Sequence, residues 1–334
     1  MKNGVKIGVA GLGKMGERHV RVFDKMPVVE LYALCDVNAE RAKEMSELYG
    51  TKYYTSVEDM IKDPELDAID IVLPDRLHRD AILLAAKYGK HIMVEKPMAS
   101  TVEDAQVIAD ALKGYDKTFM IGQILRFDPR YSMAREAVQS GKLGTPVSVY
   151  ARRNSHIVGP RHYNGATDLV PHVMVHDIDA IQWILGERIK TVYAKASDHI
   201  FHDKGMKDCV QFMFTTESGL FGQMEACWIL PEVSITSIDD QLEIIGTEST
   251  VYTKNCGEGF MLLDERKADA VDSRHWPDLN GGVAGALYEE LTEFVRCVEG
   301  GKASMISADD GLYLIKVVEA IEESIRLGKE VTIE

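Results

Sequence analysis

Three glycines near the start of the chain have a spacing that suits phosphate binding. They lie in the segment Gly11-Leu12-Gly13-Lys14-Met15-Gly16, which is a G-x-G-x-x-G motif. The motif follows an apolar run typical of a strand and opens a helix-compatible stretch, which is the context it requires. There the first glycine allows a tight turn, the second lets a pyrophosphate approach the backbone, and the third lets helix and strand pack closely. Free N–H groups at the helix N-terminus would then face the phosphates. The segment predicts a dinucleotide-binding turn.

An acidic residue follows at the distance expected for ribose recognition. Asp36 ends the second apolar run, 20 residues after Gly16. A carboxylate at that place accepts hydrogen bonds from the ribose 2′-hydroxyl, and it would repel a 2′-phosphate. Val37 and Asn38 supply no arginine to offset the repulsion, although Arg41 lies one helical turn on. We therefore expect NAD rather than NADP. The alternative is that Asp36 only caps the next helix.

A lysine closes a later strand-like run. It lies in the segment Val94-Glu95-Lys96-Pro97, and ligands bind at the carboxyl ends of the strands in an open parallel sheet. A lysine that is partly desolvated at such an edge can give or take a proton near neutral pH. The local sequence alone favours the alternative, which is an ordinary solvated lysine.

The composition limits the partners that such a site could serve. The chain has 334 residues, 46% hydrophobic and 27% charged, with a formal net charge of −15. That charge argues against nucleic acid or an anionic membrane as partner, because both need a basic face. Five scattered cysteines without a CxxC pair make a disulfide framework or cysteine-built zinc site improbable and favour a reducing cytoplasm. We interpret the N-terminal apolar stretch as a first strand rather than a signal peptide.

The elements that must position these residues change in type along the chain. Over roughly the first 120 residues, short apolar runs alternate with amphipathic helices, which indicates a parallel sheet covered on both faces. The first strands are predicted over Val5–Ala10 and Val29–Cys35, and the first helices over Lys14–Lys25 and Ala39–Tyr49. Beyond about Gly122 the strands are longer and are joined by turns, as in an antiparallel meander that continues to Gly259–Asp264. A helix over Val173–Leu185 interrupts the meander.

We therefore expect an α/β protein with two domains. Residues 1–123 would form an N-terminal Rossmann domain, and residues 124–334 a C-terminal α+β domain with a large open antiparallel sheet. The closing helices, Ala286–Val298 and Asp309–Leu327, are the segments that could pack back on the first domain. The polar segment Lys267–Gly285 is expected to be an exposed loop.

At this point the chain resembles the Gfo/Idh/MocA oxidoreductases, in family order and at family spacing over nearly its whole length. The resemblance rests on Gly11–Gly16, Cys35-Asp36-Val37-Asn38, Pro74 with His78, Gly89-Lys90-His91, Glu95-Lys96-Pro97, Arg126-Phe127-Asp128-Pro129 and His176-Asp177-Ile178-Asp179. It implies a Rossmann domain followed by an open-sheet domain that is often used for oligomerisation. It also implies hydride transfer between a nicotinamide and a carbon of a sugar or polyol.

The resemblance assigns roles by position. Lys96 would exchange the proton of the reacting hydroxyl, and His176 would be the second acid/base group. The residues expected at the cofactor, the glycine-turn residues included, are Gly11, Leu12, Gly13, Lys14, Met15, Gly16, Asp36, Val37, Arg41, Leu73, Pro74, Asp75, His78, Glu95, Lys96, Pro97 and Gln123. Those expected at the substrate are Lys96, Arg126, Asn154, His172 and His176.

One position departs from the family pattern. Polyol dehydrogenases of this family usually place an aspartate four residues before the helix histidine, and here that residue is His172. Residues four apart share a helix face, so His172 and His176 should be neighbours. Asp168 is the acid that could compensate. The histidine pair also resembles half of a zinc site, with Asp168, Asp179 and His156 as the only candidate third ligands. We expect no metal.

The leading function is therefore NAD-dependent oxidation of a secondary hydroxyl on a cyclic polyol or sugar, such as an inositol. The alternatives are a nucleotide-sugar 3-dehydrogenase, an NAD-using glycosidase, and a non-catalytic regulator that senses the dinucleotide. We expect a cytoplasmic enzyme with a small-molecule sugar or polyol substrate and no nucleic-acid or membrane partner. It should be a homodimer or homotetramer through the C-terminal sheet, because a large sheet face that exposes residues such as Val210, Phe212 and Phe221 would be an association site.

Overall fold

The computed structural model describes residues 4–234, 236–256, 261–263, 268–270 and 272–334. The chain forms two compact units. The first comprises Met1–Ile124 with His275–Ile315, and the second Leu125–Arg274 with Lys316–Glu334. Within the described residues, no helix is long and apolar enough to cross a membrane.

The first unit is built on a six-stranded sheet in which every neighbouring pair is parallel. Its strands are β1 (Val5–Ala10), β2 (Val29–Cys35), β3 (Lys52–Tyr54), β4 (Ala68–Ile71), β5 (His91–Glu95) and β6 (Phe119–Gly122). The order β3-β2-β1-β4-β5-β6 is that of a doubly wound dinucleotide-binding fold. The helices between them are α1 (Lys14–Lys25), α2 (Ala39–Tyr49), α3 (Val57–Ile61), α4 (His78–Lys87) and α5 (Val102–Ala111).

The second unit carries longer strands. They are β7 (Pro146–His156), β8 (Ile189–Ser197), β9 (Cys209–Thr216), β10 (Phe221–Leu230), β11 (Ile238–Gly246) and β12 (Thr250–Lys254). Helices α6 (Pro129–Gln139) and α7 (Val175–Leu185) belong to the same unit. Side chains alternate along these strands: Val210, Phe212 and Phe214 are buried, whereas Met213 and Phe221 lie on the open face.

The remaining elements follow β12 along the chain. They are the hairpin strands β13 (Met261–Leu263) and β14 (Ala268–Ala270), the hairpin strands β15 (Asp278–Leu279) and β16 (Gly282–Val283), helices α8 (Ala286–Gly300) and α9 (Ala308–Leu327), and strand β17 (Val331–Thr332). Strand β17 completes the second sheet, whose order is β12-β11-β7-β10-β9-β8-β17. The α/β architecture with a Rossmann sheet and a mostly antiparallel second sheet is confirmed.

Several details differ from the sequence expectations. Strands β7 and β10 pair in parallel, so the second sheet is mixed rather than a pure meander. The described part of Gly259–Asp264, strand β13, pairs with β14 and not with the large sheet. The other residues of Gly259–Asp264 lie outside the described residues, and so do Lys267 and Val271 of the segment Lys267–Gly285. Within that second segment β15 and β16 form a hairpin, where we expected only a loop.

The second sheet also corrects an expectation about its open face. We expected Val210 and Phe212 to be among the exposed residues, but both are buried because they share the face on which α7 packs. One contact identifies that face: Arg153 of β7 pairs with Asp177 of α7.

Candidate active site

The glycine turn between β1 and α1 has two crowded positions and one open position. Gly11 has φ +95°, in the region that favours glycine, and a Cβ there would collide with the Val72 carbonyl. A Cβ at Gly16 would collide with the Gly11 carbonyl. A Cβ at Gly13 would meet no atom of the described chain within 4 Å. Gly11 and Gly16 therefore serve the protein's own packing, whereas Gly13 faces open space that a pyrophosphate can occupy.

The N-terminus of α1 lacks the side-chain cap that α2, α3, α5 and α6 have. Side chains of Asn38, Ser56, Thr101 and Asp128 accept hydrogen bonds from the first turns of α2, α3, α5 and α6. Gly13 precedes α1 and provides no such cap. The first turn of α1 thus presents its N–H groups and the positive end of the helix dipole to any anion bound beside Gly13. The turn and helix fit a dinucleotide pyrophosphate.

Asp36 stands at the carboxyl end of β2 with a fixed carboxylate. One oxygen accepts the Leu12 N–H at 2.8 Å, and the other accepts the Asn38 N–H at 2.9 Å. The residue that caps α2 is Asn38, so capping does not account for Asp36. Val37 is exposed, and Arg41 pairs with Glu17 at 2.7 Å. The acid lies beside the glycine turn, where a ribose hydroxyl would need an acceptor.

The Glu95-Lys96-Pro97 segment follows β5 at the same edge of the sheet, and the Lys96–Pro97 peptide bond is cis. Glu95 belongs to a buried cluster. The His19 ring of α1 lies with Nδ1 2.8 Å from an Asp70 oxygen of β4 and Nε2 3.3 Å from a Glu95 oxygen. The second Glu95 oxygen accepts the Lys96 N–H at 3.1 Å. The cluster therefore fixes the backbone at Lys96.

The charges in this cluster support one another. Burial by itself lowers the pKa of His19, but the charges and hydrogen bonds of Asp70 and Glu95 raise it, to about 10. Burial raises the pKa of Glu95, and the hydrogen bond and charge of His19 together with Lys96 lower it below its usual value. His19 is consequently an imidazolium at neutral pH, and Glu95 is a carboxylate.

A second histidine joins two loops at this edge. The buried ring of His78 lies 2.8 Å from the Pro97 carbonyl oxygen and 2.8 Å from the Leu73 carbonyl oxygen. Pro74 and Asp75 begin the turn that leads into α4. Gln123, just beyond β6, is buried. His78 therefore connects the segment after β4, which contains Pro74 and Asp75, to the segment after β5, which contains Pro97.

In the second unit, His172 lies in a π-helical turn, Val170–Met174, that continues into α7. π-helical turns occur often at functional sites. The His172 Nε2 and the Tyr163 hydroxyl are 3.1 Å apart, and the two ring centroids are 4.8 Å apart. Trp228 packs against both rings. His176 stands in the first turn of α7 and is half-buried.

Asp168, the acid that could compensate for His172, is engaged elsewhere. Its carboxylate pairs with the Lys207 ammonium and accepts the Lys207 and Leu169 N–H groups. Lys207 also pairs with Glu322 of α9 at 2.7 Å. These contacts tie the segment before α7 to the neighbouring loop and helix.

Two further predicted substrate residues make contacts within the second unit. The buried Arg126 guanidinium donates to both Asp179 oxygens, at 2.8 and 2.7 Å. Asn154 donates to Glu225 at 3.1 Å and lies on the sheet face opposite to that of Arg153, which pairs with α7. Their substrate contacts stay predictions. Across the described segments, no group of three or more His, Cys, Asp or Glu side chains is placed to hold a metal ion.

Sequence reasoning missed three residues of these surroundings: His19, Asp70 and Tyr163. Asp70 carried a usable signal, because a charge inside the apolar strand Ala68–Ile71 must have a buried partner. His19 lies three residues after Gly16, on the helix that the motif opens. Tyr163 stands in a loop and had no pattern that could identify it.

These features define a dinucleotide-binding Rossmann domain followed by a mixed-sheet domain. A family model described as an oxidoreductase family with an NAD-binding Rossmann fold matches residues 5–123. The model of the GFO/IDH/MocA C-terminal domain matches residues 131–252. The chain belongs to the Gfo/Idh/MocA oxidoreductases, NAD(P)-dependent enzymes that act on CH–OH groups.

Full-length relatives agree with this placement. The chain is 25% identical to a myo-inositol 2-dehydrogenase of Thermotoga maritima over 335 residues, 99% of each chain. It is 26% identical to a scyllo-inositol 2-dehydrogenase (NAD(+)) of Bacillus subtilis over 340 residues, covering 100% of this chain and 98% of the relative. The crystal structure of a scyllo-inositol dehydrogenase from Lactobacillus casei with NAD(H) and scyllo-inositol has a similar fold, with TM-score 0.86 at 21% identity over 99% of each chain.

Proposed function

We propose that this protein is an NAD-dependent dehydrogenase that oxidises a secondary hydroxyl of a cyclic polyol, such as an inositol. The observation that carries the proposal is the position of Lys96. It follows β5 at the carboxyl edge of the parallel sheet, and its backbone is fixed by the partly buried Glu95, which pairs with the buried His19. The names of the relatives in Thermotoga maritima and Bacillus subtilis support an inositol substrate.

The choice of NAD over NADP follows from Asp36. Its carboxylate is held by two backbone N–H groups at the end of β2. It can accept a hydrogen bond from a ribose hydroxyl, whereas a 2′-phosphate would place negative charge against it. Arg41 is the nearby cation, but it already pairs with Glu17. NAD should therefore bind more tightly than NADP.

The reaction removes a proton from the hydroxyl oxygen and a hydride from the carbon that bears this hydroxyl. When bound, the nicotinamide supplies the hydride acceptor. In this proposal, the Lys96 amine takes the hydroxyl proton as the carbonyl forms, and a positioned proton acceptor of this kind contributes roughly 10²–10⁴-fold to the rate. His176 is the second acid/base group. The helix turn of His172 contributes an imidazole and, through it, the Tyr163 hydroxyl, in place of a carboxylate.

The experiment is a panel of substrates assayed with NAD and with NADP, following formation of the reduced nicotinamide. The panel contains myo-inositol, scyllo-inositol, a simple hexose and a nucleotide-activated sugar. We expect the highest kcat/KM with an inositol and NAD. Activity only on the nucleotide sugar would establish the alternative dehydrogenase, and a preference for NADP would contradict the role of Asp36. Glycoside cleavage without net reduced nicotinamide would identify the glycosidase.

We also propose that the open face of the second sheet is covered by a second copy of the chain in a homodimer or homotetramer. The large exposed apolar side chains on this face are Tyr193, Met213, Phe221, Ile245 and Tyr252. An exposed sheet face with this many large apolar side chains is typical of an association site. Light scattering at micromolar concentration should show a dimer or tetramer. Phe221→Glu should weaken it, whereas Leu48→Glu, at an exposed position of α2, should not; a monomeric wild type would contradict the proposal.

A further inference from the structure

Two cysteines face each other across neighbouring strands of the second sheet. Cys209 of β9 is directly opposite Cys227 of β10 in the antiparallel register. The next pair along the strands is Asp208 and Trp228, and there the Trp228 N–H donates to the Asp208 carbonyl at 3.2 Å. Hydrogen-bonded and non-hydrogen-bonded pairs alternate in an antiparallel ladder. Cys209 and Cys227 therefore form a non-hydrogen-bonded pair.

This kind of pair has the geometry that a disulfide needs. The Cα atoms of a non-hydrogen-bonded pair are about 4.5 Å apart, and their side chains come closer together than in the other kind. A disulfide spans Cα separations of about 4.4–6.8 Å, so the bond can form near the short end of that range without moving the strands. A disulfide at this partly exposed place can also be reached by thiols that reduce it.

Both thiols are accessible, but only Cys227 is activated, because the hydrogen bond to Cys227 and burial raise the pKa of Cys209. Both side chains are partly exposed, on the open face of the sheet. The hydrogen bond from the Cys209 thiol lowers the pKa of Cys227 to about 7, although burial opposes this shift. By contrast, Cys35 and Cys297 are buried, and burial raises their pKa values to about 12 and about 11.

The pair lies at the end of β9 and β10 farthest from Phe221 of the proposed association face, and four positions from Met213. Cys227 follows Phe221 by six positions along β10, which corresponds to about 20 Å of extended strand. At the cysteine end, the neighbouring residue Trp228 packs on Tyr163 and His172. Cys227 therefore adjoins Trp228 along the strand, although the two side chains lie on opposite faces of the sheet.

We propose that Cys209 and Cys227 form a reversible intramolecular disulfide, a modification site that responds to low-molecular-weight disulfides such as oxidised glutathione. The Cys227 thiolate attacks one sulfur of oxidised glutathione, breaks its S–S bond and releases one glutathione thiolate. The Cys209 thiol then loses its proton and attacks the mixed disulfide at the Cys227 sulfur, releasing the second glutathione. Two electrons pass from the cysteines to glutathione, and their two protons end on the released thiols.

The test equilibrates the full-length reduced protein in buffers with increasing ratios of oxidised to reduced glutathione, traps free thiols in acid, and maps the peptides by mass spectrometry. We expect one disulfide, linking Cys209 to Cys227, that returns to thiols on addition of reduced glutathione. Cys227→Ser should form no internal disulfide, and Cys209→Ser should stop at the glutathione adduct on Cys227. Cys256→Ser, the matched control at another partly exposed cysteine, should oxidise like the wild type.

A second measurement keeps the proposal testable without any variant. At neutral pH, a thiol with a pKa near 7 should react with iodoacetamide about threefold to fourfold faster than an ordinary thiol, once its lower intrinsic nucleophilicity is included. Cys227 should therefore be alkylated ahead of Cys256, and Cys35 and Cys297 last. If Cys209 and Cys227 both remain free thiols in oxidised glutathione, or pair only between molecules, the proposal is wrong.

Discussion

The two units both bury carboxylates, but they neutralise them with different cations. In the first unit, the His19 imidazolium lies between Asp70 and Glu95. In the second unit, the cations are guanidinium groups. Their pairs are Arg126 with Asp179, Arg130 with Asp128 and Asp240, and Arg153 with Asp177.

The difference lies in which groups can move a proton. An arginine stays charged at every pH that a protein tolerates, so its pairs act as fixed clamps. These clamps join α6 and α7 to each other and to the sheet, through Tyr131, Asp177 and Arg153. Histidine and lysine can release their protons, and both stand around Glu95 in the first unit. Among the cations that pair with buried carboxylates, those of the first unit can change protonation, whereas those of the second unit stay charged.

The largest expected effect is on the lysine. Lys96→Met keeps the length of the side chain and removes the ammonium. If Lys96 exchanges the hydroxyl proton, kcat should fall by roughly 10²–10⁴-fold while the affinity for NAD stays nearly unchanged. Lys96→Arg should not restore turnover, because a guanidinium cannot release its proton.

Steady-state kinetics on the best substrate of the panel, with NAD binding measured separately, makes this test. Lys113→Met is the control, since Lys113 is an exposed lysine of the same unit. Turnover of Lys96→Met close to that of the wild type would mean that the lysine is merely a solvated residue at a strand end.

The next largest effect is the loss of stability when an arginine of a buried ion pair is removed. Two adjacent arginines of β7, one in a buried pair and one in a partly exposed pair, allow the comparison. Arg153 and Asp177 have side-chain exposures of 5% and 1%, whereas Arg152 and Asp239 have 29% and 18%. Arg153→Met leaves a buried carboxylate without its cation and should cost about 3–5 kcal/mol of unfolding free energy. Arg152→Met should cost about 0–1 kcal/mol, because its pair is partly solvated. Urea denaturation of the two variants gives the comparison, and equal losses would refute it.

The sequence could predict those parts of the fold that depend on local signals, and it could not predict those that depend on contacts between distant segments. Strands β1 and β2 and helices α1 and α2 have the predicted bounds, because apolar runs, a glycine turn and a polar cap are all local signals. Strand β3 was missed, since two of its three residues are exposed and only its pairing with β2 defines it. The parallel pairing of β7 with β10 joins segments about 70 residues apart and leaves no local pattern.

The residues of the candidate site fall into the same two groups, those with a local sequence signal and those without one. The glycines and Asp36 were identified because their spacing along the chain matches a motif, and Lys96 because the segment Glu95-Lys96-Pro97 resembles the family. His19 was not, because its partner Asp70 is 51 residues further along the chain. Tyr163 meets His172 only through the fold of a loop. Residues that act through such long-range contacts become visible only when the fold brings them together.

The smallest expected effect is the pH dependence of the histidine cluster. The pKa of His19 is raised from 6.5 to about 10 in the folded chain. A raised pKa contributes stability that is fully present below the unfolded value, and this stability is lost as the pH rises through the folded value. Between about pH 8 and pH 10.5 the wild type should therefore lose about 1–3 kcal/mol more than His19→Gln, which has no cation to lose.

Denaturation curves across that window make the measurement, and His91→Gln is the matched control. His91 begins β5, the strand that ends at Glu95, and burial lowers its pKa, so it is already neutral there. Its replacement should leave the slope of stability against pH as in the wild type. If the gap between the wild type and His19→Gln stays constant across the window, His19 is not a cation. The first unit would then neutralise its buried carboxylates by protonating one of them, and the contrast with the arginine clamps would rest on Lys96 alone.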